Sequence, residues 1–372
     1  MVSNEKEKGS SGKYYPFEPD YAVPPGATLL ETIEHLGLSQ AELAERMGRP
    51  VKTINEIIKG KTAIIPETAL QLERVLGIPA SFWNNLERNY REKLAELAEQ
   101  ERLKKQLAWL KEIPVNHMIK HGWIKRCKDK ITQLREVLNF FGVASVEAWQ
   151  EHWQRTLGGQ AIAFRQSKTR KSELGAIAAW LRKGQLEAQG IPCKPFDADS
   201  FKNILGDVRN LTLHPPAVFV PGLKKMCAKA GVAVVFVPEL PGSRTHGATY
   251  WLNPRKAVIQ LSLRYKTDDH LWFTFFHEAK HVLQHRKRDL FLEYDGQDDI
   301  YEEQANRFAE QRLIPSDQLN EFLKKGNFSE ASVRQFAKCL GIAPGIVVGR
   351  LQHEKAIGFN NLNHLKRYFQ WT

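Results

Sequence analysis

Hydrophobic residues recur at helical spacing over most of the chain. Between Thr28 and about Tyr90 they form short amphipathic segments, and each segment ends at a glycine that suits a helix C-cap. The stretch 91–110 is rich in Glu, Lys, Leu and Ala and contains neither Gly nor Pro, which predicts one longer helix. We therefore expect a compact helical unit followed by a helical connector.

The pattern stays helical through 131–189 and changes near residue 215. The runs 232–237 (VAVVFV) and 257–263 (AVIQLSL) are rich in β-branched residues and bounded by Gly and Pro, which is typical of strands. After Lys266 the pattern is helical again, with Gly and Pro stops that divide it into short helices. These features predict a small sheet followed by helices.

A chain of 372 residues corresponds to two or three domains at roughly 150 residues each. We expect a multidomain protein with an all-α N-terminal domain, a helical middle region and an α+β C-terminal domain. The predicted segments are a flexible arm at 1–26, a helix-turn-helix domain at 27–90, a helical connector and middle region at 91–214, and the α+β domain at 215–372.

The composition is that of an ordinary globular protein, with 42% hydrophobic and 26% charged residues, and it excludes global disorder. The net charge of +12 favours an anionic partner such as nucleic acid. The first residues lack the apolar core of a signal peptide, and no apolar stretch approaches the roughly 20 residues that span a bilayer. Four isolated cysteines fit neither a disulfide framework nor a CxxC zinc site, so we expect a cytoplasmic protein with no membrane contact.

The segment 39–60 has the pattern of two helices packed across a glycine turn. Ser39 and Glu42 form a potential capping box at the start of the first helix, and Gly48 provides the turn. Pro50 at the start of the second helix costs no hydrogen bond. The spacing predicts a helix-turn-helix, although a plain helical hairpin with a solvated outer face has the same pattern.

In the helix-turn-helix interpretation, one face of the second helix enters the major groove of double-stranded DNA. Lys52 can donate to guanine, and Asn55 can pair with adenine. Ser39 and Gln40 would lie against phosphate at a helix N-terminus. The full set of candidate DNA-binding residues is Ser39, Gln40, Val51, Lys52, Thr53, Asn55, Glu56 and Lys59.

Residues 277–281 read HEAKH, an HExxH motif. Two histidines four apart on a helix project from one face and can bind a single Zn²⁺. Glu278 would then lie beside the metal-bound water, where it can act as the catalytic base. Two histidines and a carboxylate suit zinc well, but the motif alone does not exclude manganese.

A catalytic zinc site needs a third protein ligand. The downstream segment DIYEEQANRFAEQRLIP predicts a helix that ends at Pro315. Glu302 is our candidate for the third ligand, and Asn306, one turn later, can hydrogen-bond a ligand side chain. Glu303 is the rival for the ligand role.

The stretch SQAELAERMGRPVKTINEIIKGKTAIIPETALQLERVLGIPASFWNNLERNY resembles the Xre-type helix-turn-helix of HigA-like antitoxins. The IxPETAL and LGxPxxFWxNLxxxY portions extend the resemblance past the recognition helix. This resemblance implies binding to a palindromic operator as a homodimer.

The C-terminal half resembles the ImmA/IrrE-type zinc metallopeptidase domain as it occurs behind such a helix-turn-helix. The resemblance is carried by LPGSRTHGATYWLNPRKAVIQLSLRYKTDDHLWFTFFHEAKHVLQH, EEQANRFAEQRLIP, IAPGIVVGRLQHE and LNHLKRYFQW. It implies zinc ligation by His277, His281 and Glu302 and a catalytic Glu278. Lys280 departs from the family pattern, which usually has glycine inside HExGH.

Two functions from different classes follow from these features. The first is a transcriptional regulator whose zinc metallopeptidase domain cleaves a protein partner or itself to modulate repression. The second is a non-catalytic, antitoxin-like repressor whose metal-binding domain senses or holds a partner such as a cognate toxin. The intact HEAKH motif with Glu302 favours the first function, and Lys280 favours the second. A housekeeping protease is disfavoured by the attached DNA-binding unit.

Overall fold

The computed structural model describes residues 21–157, 168–243, 245–284, 291–294 and 300–371. The chain divides into two compact units, residues 1–106 and residues 107–372. Most of the predicted arm lies outside the described residues.

The first unit contains five helices around one apolar core. Their bounds are α1 (Pro25–His35), α2 (Gln40–Met47), α3 (Val51–Ile58), α4 (Pro66–Leu76) and α5 (Ala80–Gln106). The core is formed by side chains that the helical spacing directs inward, among them Leu29, Leu43, Ile54, Leu72 and Trp83. The last helix is continuous across residue 90, where the sequence pattern placed a domain boundary.

The second unit begins with a helical part. Its bounds are a 3₁₀ turn (Leu107–Glu112), α6 (Val115–Lys120), α7 (Lys130–Phe141), α8 (Val146–Leu157), α9 (Lys168–Gln189), α10 (Ala198–Asn210), a 3₁₀ turn (Leu211–Leu213) and α11 (Pro216–Lys229). The rings of Trp109, Phe141, Trp149 and Trp153 pack together with centroids 5.1–6.3 Å apart. Such aromatic pairs contribute more to stability than the area they bury would suggest, so this cluster stabilises the packing of the first 3₁₀ turn, α7 and α8.

A four-stranded sheet follows, in the order β1-β3-β2-β4. Its strands are β1 (Val232–Phe236), β2 (Thr245–Asn253), β3 (Lys256–Leu261) and β4 (Phe291–Tyr294). β1 runs parallel to β3, and β2 runs antiparallel to both β3 and β4. The two predicted strands are β1 and β3. β2 and β4 were not identified from the sequence, and the polar THGAT start of β2 lacks a β-branched run.

Helices cover both faces of this sheet. The remaining bounds are α12 (Asp268–Gln284), α13 (Ile300–Leu313), α14 (Ser316–Lys325), α15 (Glu330–Leu340), α16 (Pro344–His353) and a 3₁₀ turn (Asn363–Leu365). Successive strand residues point to opposite faces. Gln260 and Tyr250 therefore face α9, where Gln260 Nε2 donates to the Trp180 carbonyl, and Thr249 faces α12. The predicted fold class, helical at the N-terminus and α+β at the C-terminus, is confirmed.

In the part of the chain that the structure describes, every helix is too short or too polar to cross a bilayer.

Candidate functional site

The metal-site candidate is built on α12, which packs against β2, β3, α13 and α16. The residues before the motif, LWFTFF, are almost all buried, as a helix covered on several sides requires. His277, Glu278 and His281 are themselves buried to within 1% of full coverage. Burying three ionisable groups on one helix is costly unless each finds a partner or a metal.

Three side chains converge on one point. His277 Nε2 lies 3.0 Å from His281 Nε2 and 3.0 Å from Glu302 Oε2, and His281 Nε2 lies 3.3 Å from Glu302 Oε1. The candidate ligand atoms of these three residues lie within 4.8 Å of one another. Ligand atoms about 2 Å from a common ion would have such separations, so the donor set fits a zinc-type site.

Asn306 lies where a metal-site histidine needs a partner. His277 Nδ1 is 2.9 Å from Asn306 Oδ1. A proton on Nδ1 donates to this amide oxygen and leaves the Nε2 lone pair directed at Glu302 and His281. The hydrogen bond therefore selects the tautomer that a metal requires.

The two candidate acidic ligands occupy different environments. The Glu302 side chain is 14% exposed and lies between the two histidines. Burial acts to raise the pKa of Glu302, but when the two imidazoles are protonated at Nε2, their hydrogen bonds and charges outweigh burial and lower the pKa to about 2. Glu303 is 61% exposed and pairs with Arg307 on its own helix. The structure thus brings Glu302, and not its neighbour, to the histidines.

Glu278 is completely buried beside the histidines and is held by β2. Thr249 Oγ1 donates to Glu278 Oε2 at 2.6 Å and to the Glu278 carbonyl at 3.1 Å. At Gly247 the strand passes so close that an added Cβ would lie 2.5 Å from Glu278 Oε1. The segment 244–250, which contains Gly247 and Thr249, gives no local sequence signal for this direct contact with Glu278.

The other members of that region divide between the two sides of the sheet. Tyr250 is buried and donates to Gln260 on the face opposite α12, so it is a core residue. Arg244 lies outside the described residues. The Tyr265 ring packs between those of His246 and His270, with centroids 4.9 and 4.3 Å away, and lines a small pocket that reaches Thr274, one turn before Glu278.

Lys280, the residue that departs from HExGH, points along α13. Its ammonium lies over the Phe308 ring, 5.6 Å from the ring centroid, and Arg312 approaches the same ring at 5.2 Å. This cation–π contact occupies the charge of the one residue that departs from the HExGH pattern.

The second candidate site is the α2–α3 pair. Glu42 N donates to Ser39 Oγ at 3.1 Å and Ser39 N donates to Glu42 Oε2 at 2.8 Å, which completes the predicted capping box. Gly48 ends α2 in the left-handed conformation, at φ 65°. Leu43 and Ile54 are fully buried at the contact between the two helices.

Of the predicted DNA-binding residues, two lie at the start of α2 and the other six lie on α3 or at its C-cap. Lys52 is open to solvent, with 85% of its side chain exposed. Asn55 Nδ2 donates to Gln40 Oε1 at 3.3 Å, which joins the middle of α3 to the start of α2, and Glu56 accepts from Thr62 at 3.2 Å. By exposure the candidates form two groups. Ser39, Val51, Lys52 and Lys59 are exposed, and Gln40, Thr53, Asn55 and Glu56 are partly buried.

A capped helix-turn-helix unit, joined to a second unit with an HExxH helix packed on a small sheet, defines a DNA-binding regulator with a peptidase-like domain. Residues 29–83 match the helix-turn-helix family, and residues 227–352 match the family described as IrrE N-terminal-like domain. The chain therefore belongs to the helix-turn-helix family through its first unit and carries an IrrE-like domain in its second. The resemblances identified from the sequence are confirmed.

Individual relatives match the first unit. The chain is 33% identical over 63 residues to the uncharacterised HTH-type transcriptional regulator YddM of Escherichia coli, a match that covers 17% of this chain and 67% of YddM. It is 37% identical over 76 residues to virulence-associated protein I of Dichelobacter nodosus, covering 20% and 70% of the two chains. An addiction module antidote protein of the HigA family from Coxiella burnetii aligns at 29% identity, with a TM-score of 0.21, over 23% of this chain and 92% of its own.

Proposed function

We propose that the protein is an antitoxin-like transcriptional regulator whose IrrE-like domain is a zinc-dependent peptidase that cleaves a protein partner, or the chain itself, to modulate repression. The observation that carries this proposal is the convergence of His277, His281 and Glu302 beside a buried Glu278. A purely structural site needs only ligands, and it gives no reason to bury a fourth ionisable group next to them.

His277, His281 and Glu302 would hold the zinc ion. When bound, zinc polarises a substrate carbonyl and acidifies water. Glu278 acts as the general base that takes the proton from the attacking water and passes it to the leaving amine. Thr249 orients the Glu278 carboxylate through its 2.6 Å hydrogen bond, which leaves the second carboxylate oxygen beside Gly247.

The role assignment is tested by metal content. Purified protein is expected to hold close to one zinc ion per chain by atomic emission. His277→Ala, His281→Ala and Glu302→Ala are expected to lose most of it, because each removes a ligand. Glu278→Gln and the matched control Glu303→Ala are expected to keep it. Loss of zinc in Glu303→Ala with retention in Glu302→Ala would move the ligand by one residue.

Cleavage is tested by incubating the wild-type protein and Glu278→Gln with the products of neighbouring genes and with the chain itself, followed by mass spectrometry of fragments. The expected result is fragments from the wild type only. Zinc-loaded wild type that cuts nothing would overturn the peptidase assignment and support the alternative, a repressor whose metal-binding domain only holds a partner. Lys280 gives that alternative little support, because its ammonium lies over Phe308.

DNA binding through the first unit is proposed to involve a homodimer on an operator in the protein's own promoter region, with half-sites one helical turn apart or a multiple of it. Lys52→Ala/Asn55→Ala is expected to relax base preference, because these two side chains reach base edges in the proposed docking. Footprinting measures this effect, and the absence of any protected site with wild-type protein at low salt would overturn the proposal.

A further inference from the structure

The positive charge of the chain does not reside in its helix-turn-helix unit. Residues 1–106 contain 15 Lys and Arg against 16 Asp and Glu, whereas residues 107–372 contain 39 against 26. The second unit therefore carries a net charge of +13, and the first unit carries −1. DNA binding through α3, which lies in the first unit, therefore does not explain this excess of positive charge.

Part of the excess is concentrated between α6 and α7. The segment 120–130 contains Lys120, Lys125, Arg126, Lys128 and Lys130, and its one acidic residue is Asp129. All five basic residues are exposed. Asp129 is occupied as the cap of α7, where it accepts from Thr132 N at 2.8 Å. Among the described residues none of the five basic side chains forms an ion pair. We call this segment the basic loop.

Side chains of α7 hydrogen-bond the backbone of the basic loop. Gln133, which is 9% exposed, accepts from Cys127 N at 3.0 Å and donates to the Lys125 carbonyl at 3.1 Å. Glu136 accepts from Lys125 N at 3.2 Å. These bonds use the polar groups of α7 to fix the loop's main chain, so the cationic side chains are presented to solvent from a defined surface.

We infer that the basic loop binds the phosphate backbone of double-stranded DNA and adds a second, sequence-independent contact to the one made by the first unit. The six residues 125–130, which carry four of the five basic side chains, would span at most about 20 Å if fully extended. Duplex DNA carries about twelve phosphates over that length, so several cations of the loop can be neutralised at once. The inference deepens the DNA-binding part of the proposed function.

Duplex phosphate fits this surface better than single-stranded bases do. Binding of single strands relies on aromatic rings on which bases stack. The aromatic side chain of the loop, Trp123, already stacks with His121 at 5.6 Å and with Phe140 at 6.3 Å between centroids. The groups that the loop offers to a ligand are thus its charges.

The test compares two variants of the full chain that lose the same charge. Lys125→Gln/Arg126→Gln/Lys128→Gln alters the basic loop, and the matched control Lys324→Gln/Lys325→Gln/Lys338→Gln removes three exposed charges elsewhere in the same unit. The probe is a fluorescent duplex of random sequence, titrated at several salt concentrations. Circular dichroism verifies that both variants are folded.

The loop variant is expected to bind at least about tenfold more weakly at low salt. Its plot of log K against log salt is expected to be shallower by about 2 to 3, since each lost phosphate contact removes about 0.9 from the slope. The control is expected to stay within about twofold of the wild type. Equal losses in both variants, or no loss in the loop variant, would overturn the inference, as would a loop-dependent loss of binding to phosphatidylserine vesicles without a loss of duplex binding.

A promoter fragment separates this result from the proposed function. The loop variant is expected to lose affinity for promoter and random duplex by the same factor, whereas Lys52→Ala/Asn55→Ala is expected to lose the preference between them. A wild-type protein without any promoter preference would contradict the proposed operator binding and leave the loop comparison intact.

Discussion

At the residue scale, the closeness of β2 to Glu278 depends on a single missing side chain. Gly247 faces α12, where a Cβ would lie 2.5 Å from Glu278 Oε1 and 2.7 Å from Thr274 Cγ2. Neither neighbour is free to move, because both are buried and Glu278 is hydrogen-bonded to Thr249. Glycine is therefore required here for space and not for backbone conformation.

We predict that Gly247→Ala displaces the Glu278 carboxylate and lowers the free energy of unfolding by about 1 to 3 kcal/mol, the usual cost of overpacking a core. Zinc content should be retained, since the proposed ligands lie on α12 and α13, and any Glu278-dependent cleavage should fall sharply. Urea unfolding and metal analysis measure these effects.

Gly206→Ala is the matched control, because it adds the same methyl to an exposed helical glycine with no atom within 4 Å. It is expected to stabilise the protein by about 0.5 to 1 kcal/mol. An unchanged stability in Gly247→Ala would show that β2 can shift away from Glu278.

At the scale of elements, the start of α12 is bonded to residues 366 and 367. Asp268 N donates to the Arg367 carbonyl at 3.0 Å, and Lys366 Nζ pairs with Asp269 Oδ2 at 2.7 Å in a buried ion pair. Gly345 and Gly349 of α16 leave room for these two carboxylates. The position of α12 is therefore set at both ends, by this junction and by the ligand cluster.

The junction predicts a pH dependence of stability. Burial raises the pKa of Asp268 to about 6, and the nearby Asp269 charge acts in the same direction. Hydrogen bonds from Arg367 N and Asp269 N act to lower the pKa but do not outweigh burial. The folded protein thus binds this proton more tightly than the unfolded chain, whose aspartate pKa is about 3.9. The contribution to stability is greatest below about pH 4 and is lost as the pH rises through 6.

We expect the Asp268 contribution to be at most about 3 kcal/mol, from roughly two pKa units at 1.36 kcal/mol each. Asp268→Asn keeps an acceptor for the backbone bonds and removes the titration. The difference in unfolding free energy between the variant and the wild type should therefore grow in favour of the variant from pH 4 to pH 7. A constant difference across that range would contradict the raised pKa.

At the scale of the whole molecule, the described residues of each compact unit form an apolar core of their own. We predict two calorimetric unfolding transitions. Leu43→Ala, at a fully buried position of the first unit, should lower the free energy of unfolding of that unit by the 2 to 5 kcal/mol typical of such changes, and so shift one transition to lower temperature. Chelation of zinc should lower only the other, because a ligand stabilises the unit that binds it.

A single transition that both changes shift together would contradict the independence of the two units. His277→Ala provides the control for chelation. In this variant the transition of the second unit should no longer respond to the chelator.

The sequence by itself determined those features that depend on neighbouring residues. The capping box of Ser39 and Glu42, the turn at Gly48 and the shared face of His277 and His281 all follow from spacings of three or four positions, where helix geometry dictates contact. The β-branched runs likewise identified β1 and β3, because their burial leaves a local compositional signal.

The tertiary structure decided what depends on segments far apart in the chain. Sequence reasoning could rank Glu302 above Glu303, but only the packing of α13 on α12 brings Glu302 to the histidines and turns Glu303 to solvent. The same holds for Thr249, which reaches Glu278 from β2, and for Lys280, whose charge lies over Phe308. These contacts join residues 21 or more positions apart, and no local periodicity encodes them, because they arise from how helices and strands fill a common core.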